Sequence, residues 1–209
     1  MSEPKTQTIK VSELKIQTDD QVRLSEQTRM DRLLQFLQDN QVKPDRVAYN
    51  WLCCSDFFRA PASTRWHSAY PGGLFDHSLK VAQYLMELTQ HNNLIWEQSD
   101  SPIVIGILHD ATKIGLYEWR SWENKYKTNP FYKAEGVHGH DSIHKISLLH
   151  DRGLCSPLTQ EEILCIRYHM GAYEITDWEG FDKAIKRCPN VLWTHMADML
   201  ASKLGEEWA

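Results

Sequence analysis

Apolar residues recur along this chain at helical intervals, interrupted by loops that Pro and Gly punctuate. Met30, Leu33, Leu34 and Leu37 fall three or four apart and predict a first amphipathic helix. Val47 to Phe58 can form a second. Arg59 to Gly73 (RAPASTRWHSAYPGG) reads as a loop. From Leu74 to about Gln90 the helical pattern returns, with His77, Val81, Leu85 and Leu88 on one face, so the His77 imidazole points inward with the core residues. Pro102 to Asp110 (PIVIGILHD) is apolar enough to be buried. It ends in an imidazole beside a carboxylate, polar groups that need a partner there.

After that pair the pattern changes. Tyr117 to Lys133 (YEWRSWENKYKTNPFYK) lacks helical periodicity and predicts a β-hairpin or a long aromatic excursion. A helix beginning at Asp141 or Ser142 runs through Leu149 and stops at Gly153. Thr159-Gln-Glu-Glu162 is a capping box that opens a helix through Ile163, Ile166 and His169. Pro189 to Leu204 is helical, and Asp198 lies inside its apolar stripe, where a carboxylate is costly to bury without a cation. The expectation is an all-α domain over residues 28–209 with a small aromatic-rich excursion, preceded by a polar N-terminal tail over residues 1–27.

Composition narrows the setting. A chain of 209 residues with 42% hydrophobic and 24% charged content suits one soluble globular domain with a substantial core. The net charge of -5 argues against non-specific coating of nucleic acid and predicts no stable binding to duplex. Cys53, Cys54, Cys155, Cys165 and Cys188 are odd in number and form no CxxC pair, as expected of reduced thiols in the cytoplasm. No apolar stretch reaches the roughly 20 residues of a membrane span, and no signal peptide is recognisable.

Candidate ligands recur about once per helix or helix start: His77, His109-Asp110, His138 or His140, His169 and Asp198. Such an arrangement suits one ligand per helix–loop unit converging on a bundle core. Mixed imidazole and carboxylate ligation favours Mn, Fe, Co, Ni or Zn over Ca, with Mg also admissible.

The ordered set His…His-Asp…His…His…Asp, with GGLFDHS around His77 and LHDATKIG around His109-Asp110, resembles the HD-domain metal-dependent phosphohydrolase superfamily. It is most similar to a group of small phage and bacterial HD hydrolases, and more distantly to the HD domain of bacterial 3′–5′ exonucleases. The supporting stretches also include APAS at Ala60 to Ser63 with His67, HGHDS, LTQEEILCIRYHMG and HMADMLAS, spread from about residue 58 to residue 202. The resemblance implies an HD-type helical bundle. It also implies that His77, His109, Asp110 and Asp198 hold a first divalent metal, and that His138 and His169, with Asp110 bridging, hold a second. In the small phage-like group the third motif reads GHGxxS. His138 to Ser142 fits it with His138 as ligand, although Val137 stands where a Gly is expected; alignment on the GH dipeptide selects His140 instead. Met170 occupies the place of a second His found in some relatives, so no third metal is expected.

The chemistry that follows is hydrolysis of a phosphate ester, anhydride or phosphodiester in a small nucleotide or short oligonucleotide. Two cations held by two carboxylates and neutral imidazoles leave a positive site, and a metal can bring the pKa of bound water to about 7, so that hydroxide attacks near neutral pH. Asp110 would orient that hydroxide, and Lys113, in the family pattern HDxxK, would meet a phosphate oxygen. Arg65 and His67 could bind phosphate or base. Trp119, Trp122, Tyr126 and Tyr132 could stack on a base. Two other readings share these ligands: a mixed-valence diiron oxygenase, and a nucleotide-sensing module that does not turn over.

Overall fold

The computed structural model describes residues 19–132, 138–171 and 178–204, with side chains from residue 26 onward. Residues 1–18 of the expected tail, Lys133, Val137 and the last five residues of the expected domain lie outside that set. In chain order the described residues form α1 (Asp19–Asp39), α2 (Tyr49–Cys54), α3 (Gly73–Asn92), α4 (Ser101–Leu108), β1 (Tyr117–Arg120), β2 (Lys125–Thr128), α5 (His138–Asp151), α6 (Gln160–Tyr168), α7 (Trp178–Arg187) and α8 (Asn190–Leu204). The protein is mostly helical, as expected, and the one sheet among the described residues is the antiparallel pair β1–β2, with Trp119 opposite Tyr126.

The core is built around α4. All eight of its residues are buried, as a helix without a polar face requires. It lies between α3 and α6, and α8 closes across those two. Two glycines permit the closest crossings. A Cβ on Gly106 would come within 2.4 Å of the Ala82 backbone, so only Gly lets α4 lie this deep against α3. A Cβ on Gly139 would come within 2.2 Å of the Arg167 carbonyl oxygen, which holds the start of α5 against the end of α6. Each crossing lies within a few residues of a candidate ligand.

One buried carboxylate sets the register of α4 against α6. The capping box forms as the sequence predicts: Glu162 N donates to Thr159 Oγ1 at 3.2 Å and Thr159 N donates to Glu162 Oε2 at 2.9 Å. The other oxygen of Glu162 accepts from Ser101 Oγ at 2.9 Å and pairs with Arg46. Arg46 also pairs with Asp100 at 3.0 Å, just before α4. The N-termini of α4 and α6 are thus clamped together. Ser101 and His109 are eight residues apart and Glu162 and His169 seven, so both helices rise about 10–12 Å from the clamp. Two rods of nearly equal length, fixed at one end, bring their terminal histidines to the same level.

Several elements differ from expectation. Helix α1 (Asp19–Asp39) includes part of the segment expected to be a tail. The segment expected to be helical over Val47 to Phe58 is a 3-10 turn at Pro44–Val47 followed by the short α2, because Ser55 accepts from Phe57 N at 3.1 Å and ends the helix. Helix α5 starts at His138 rather than at Asp141 or Ser142. Helix α7 was not anticipated. Its apolar positions Trp178, Phe181, Ala184 and Ile185 keep helical spacing, but charged residues dominate the run between them.

Removing the clamp should cost more than an ordinary surface pair. Glu162→Ala removes the acceptor of Ser101, leaves Arg46 with Asp100 as its one carboxylate and deletes the capping box, so unfolding stability should fall by about 2–4 kcal/mol. The check is the urea midpoint at constant slope; a loss below about 1 kcal/mol would show that the clamp does not register the two helices.

Candidate metal centre

The six side chains singled out by sequence meet. His77 comes from the second turn of α3, His109 and Asp110 from the end of α4, His138 from the start of α5, His169 from the end of α6 and Asp198 from the middle of α8. His109 and His169 are wholly buried and Asp110 is 2% exposed, so the cluster sits inside the helical shell. His138 Nε2 lies 2.5 Å from Asp110 Oδ1. His140 is half-exposed and faces its neighbour Asp141 at 3.9 Å. The structure therefore brings His138, and not His140, to the cluster.

The two histidines delivered by α4 and α6 are held in the same way. His109 Nδ1 donates to the Gly106 carbonyl at 2.8 Å, and His169 Nδ1 donates to the Ile166 carbonyl at 2.7 Å. A carbonyl can only accept, so in the neutral ring the proton sits on Nδ1 and the Nε2 lone pair faces inward. His169 Nε2 is buried without a hydrogen-bond partner. A bare lone pair sealed from water is costly unless something electrophilic meets it.

The spacing of the inward atoms fits a cation. His77 Nε2 is 3.1 Å from Asp198 Oδ1, 3.3 Å from His109 Nε2 and 3.7 Å from Asp110 Oδ2, and His109 Nε2 is 3.4 Å from that same Asp110 oxygen. Ligand atoms at about 2.0–2.2 Å from one ion stand roughly 3.0–3.6 Å from each other in octahedral or tetrahedral shells. Two overlapping groups bring their ligand atoms within 4.8 Å of one another, His77 with His109 and Asp198, and His109 with Asp110 and His169; the widest pair of the first group, His109 Nε2 to Asp198 Oδ1, is 4.0 Å. The donor set is mixed imidazole and carboxylate, which suits a transition-metal dication. On the second side, His169 Nε2 lies 3.7 Å from Asp110 Oδ1.

Charge in the cluster is tightly constrained. Burial opposes ionisation of Asp110, but Lys113 and the surrounding imidazoles outweigh it and hold the carboxyl well below the usual range. Burial alone would lower the Lys113 ammonium, but Asp110 Oδ2 at 2.7 Å outweighs it and holds it protonated. Asp198 is likewise opposed by burial and held ionised by its bond to His77 and by His109. Burial pushes the His138 imidazole down. Two carboxylates against one ammonium leave the cluster at a formal −1, a charge that a cation would reverse.

The other residues expected to bind substrate divide. His67 leans on His77 with ring centroids 4.7 Å apart, and its Nε2 is buried without a partner. Burial first, then the neighbouring His77 and the Lys113 ammonium, push the His67 imidazole down to about 4, so it is neutral near pH 7. Its loop is rigid, since Ser63 Oγ accepts from Trp66 N at 2.8 Å and donates to the His67 carbonyl at 2.9 Å. Arg65 is exposed on the same loop and the structure records no contact between it and the cluster. In the hairpin, Tyr132 donates to the Thr112 carbonyl at 2.7 Å and Tyr126 packs edge-on to Trp119 at 5.0 Å, so both tyrosines serve packing. Trp119 and Trp122 are exposed.

Sequence reading missed two supports. Lys145 donates to the Ile114 carbonyl at 2.7 Å and pins the turn that carries Lys113. His195 Nδ1 donates to the His169 carbonyl at 2.8 Å. His195 stands three residues before Asp198 on α8, which was a legible signal; nothing in the sequence marks Lys145. No family model, curated protein or solved structure matches this chain.

A bound cation should stabilise the fold by mass action. At 100-fold excess over Kd the gain is about 2.7 kcal/mol, or roughly 5–11 °C in Tm for a domain of this size. Titrating chelator-stripped protein with Mn, Fe, Co, Ni, Zn or Mg salts should show such a rise for at least one metal. Asp110→Asn should abolish it. An unchanged Tm with every metal would contradict the site.

Proposed function

We propose that the protein is a metal-dependent phosphohydrolase of the HD type, acting on a phosphate ester, anhydride or phosphodiester of a nucleotide or short oligonucleotide. The observation that carries this reading is the shell of His77, His109, Asp110 and Asp198 atoms at ligand-to-ligand spacing, with a protonated Lys113 at its rim. His77, His109, Asp110 and Asp198 would hold one cation, and His138 and His169, sharing Asp110, a second. When bound, the cations supply Lewis acidity and lower the pKa of a coordinated water toward 7.

The chain's own groups then divide the work. Asp110 is ionised and accepts a hydrogen bond from the attacking water, which orients it. The Lys113 ammonium is partly exposed and held by Asp110, where it can meet a phosphoryl oxygen as charge develops on it. His67 offers a ring nitrogen that no protein atom satisfies. Arg65, on the same loop, supplies a cation for a more distant phosphate. The exposed faces of Trp119 and Trp122 are open to a base, where stacking contributes about 1–3 kcal/mol per base. Burial of the ligands shields the reacting centre from bulk water and strengthens each of these charge interactions.

The test is a screen of nucleotides, cyclic dinucleotides and short oligonucleotides with Mn, Co, Ni and Mg, scored by phosphate release or product chromatography. The wild-type chain should turn over at least one substrate, and His109→Ala/Asp110→Ala should abolish it. Lys113→Ala should lower kcat about 10²–10³-fold while the metal content stays unchanged. Equal activity in the double variant and the wild type would reject the reading. Nucleotide binding without turnover would assign the chain to a sensing module, and oxygen uptake with iron to an oxygenase.

A further inference from the structure

We propose that His195, outside the six-residue ligand set, is a positioning residue that locks His169 to the helix bearing Asp198, and thereby sets how tightly the His169 side of the site holds a divalent cation; its consequence for metal rests on the metal-site reading above.

The geometry carries this in three steps. His169 is the residue that closes α6, where the last carbonyls have no partner within the helix. The His195 Nδ1–H donates to the His169 carbonyl at 2.8 Å and so caps that end from outside. His169 is thus held at both of its polar handles, its ring by the Ile166 carbonyl and its own carbonyl by His195.

The His195 ring is also boxed in. A Cβ on Gly171 would fall 2.7 Å from its Nδ1 and Cε1, so a glycine at this left-handed position, φ +54°, lets the chain leave α6 directly over the imidazole. Phe181 of α7 meets the ring edge-on with centroids 6.4 Å apart. The imidazole therefore joins the end of α6, the turn after it, and α7.

His195 and Asp198 are three residues apart on α8 and share a face of that helix. Asp198 Oδ1 lies 3.1 Å from His77 Nε2, in the first ligand group, while His169 belongs to the second. This hydrogen bond thus adds a direct tie between the two ligand groups, which already share His109. Partners that orient ligands in this way typically change metal affinity 10–100-fold when removed.

The experiment uses the full chain as wild type, His195→Ala and His195→Asn. The Asn amide nitrogen falls close to where Nδ1 stands and can donate to the same carbonyl. In metal-free protein with ¹⁵N-labelled histidines, His169 should show one sharp Nδ1–H tautomer in the wild type. His195→Ala should broaden that signal or mix the tautomers, and His195→Asn should restore it. Calorimetric titration with Mn(II) should show one binding step lowered 10–100-fold in His195→Ala and within about threefold of wild type in His195→Asn.

A helix cap that mattered only for stability would lower Tm and leave both readouts unmoved. Wild-type His169 signals and Mn(II) affinity in His195→Ala would overturn the proposal, as would an Asn variant no better than Ala. Should the wild type take up neither Mn(II) nor any of Fe, Co, Ni, Zn and Mg, the metal reading fails and takes the affinity effect with it. The metal-free spectra still decide whether His195 positions His169.

Discussion

Everything at the centre of this molecule depends on Glu162. Its carboxylate is wholly buried, which is tolerable only because Arg46, Ser101 and the Thr159 backbone satisfy it from three directions. The result is a hinge pin joining the starts of α4 and α6 far from the site. From that pin the two helices run side by side for nearly the same rise, and each ends in a histidine whose Nδ1 bonds the carbonyl three residues earlier. The centroids of those two imidazoles lie 4.8 Å apart as a consequence of register, not of any direct bond between them.

The site uses burial for two purposes. It removes water from the His169 Nε2 lone pair, which has no hydrogen-bond partner among the described residues. It also intensifies the attraction among Asp110, Lys113 and Asp198, whose ionised forms persist in spite of desolvation. Lys113 sits where it neutralises one oxygen of Asp110 while keeping an edge toward solvent. Among the described residues no helix is long and apolar enough to cross a membrane.

Much of this was legible in the sequence because the chemistry and the packing coincide. PIVIGILHD announces both a buried rod and what stands at its end, and the capping box announces the start of the rod beside it. His77 shares a face with Val81 and Leu85, and that face is the buried one. What was not legible depends on distant partners. His138 and His140 are chemically alike and two residues apart; only the packing of Gly139 against the α6 carbonyls decides which one turns inward. The length of α2 is set by a local Ser55 bond that competes with helical periodicity, and α7 is hidden by the charge of its exposed face. Lys145 matters through the backbone carbonyl it bonds, and sequence carries no mark of that; His195 was marked only by its place one turn before Asp198.

Helical register, fixed by a remote clamp, gathers six side chains into one buried cluster, and on the proposed reading that cluster holds cations. The decisive measurement is anomalous diffraction from crystals grown with Mn(II), collected on either side of the manganese edge. A peak is expected between His77, His109, Asp110 and Asp198, with a second between His138 and His169. A map with no anomalous peak there, at Mn(II) concentrations that occupy other sites on the same molecule, would contradict it.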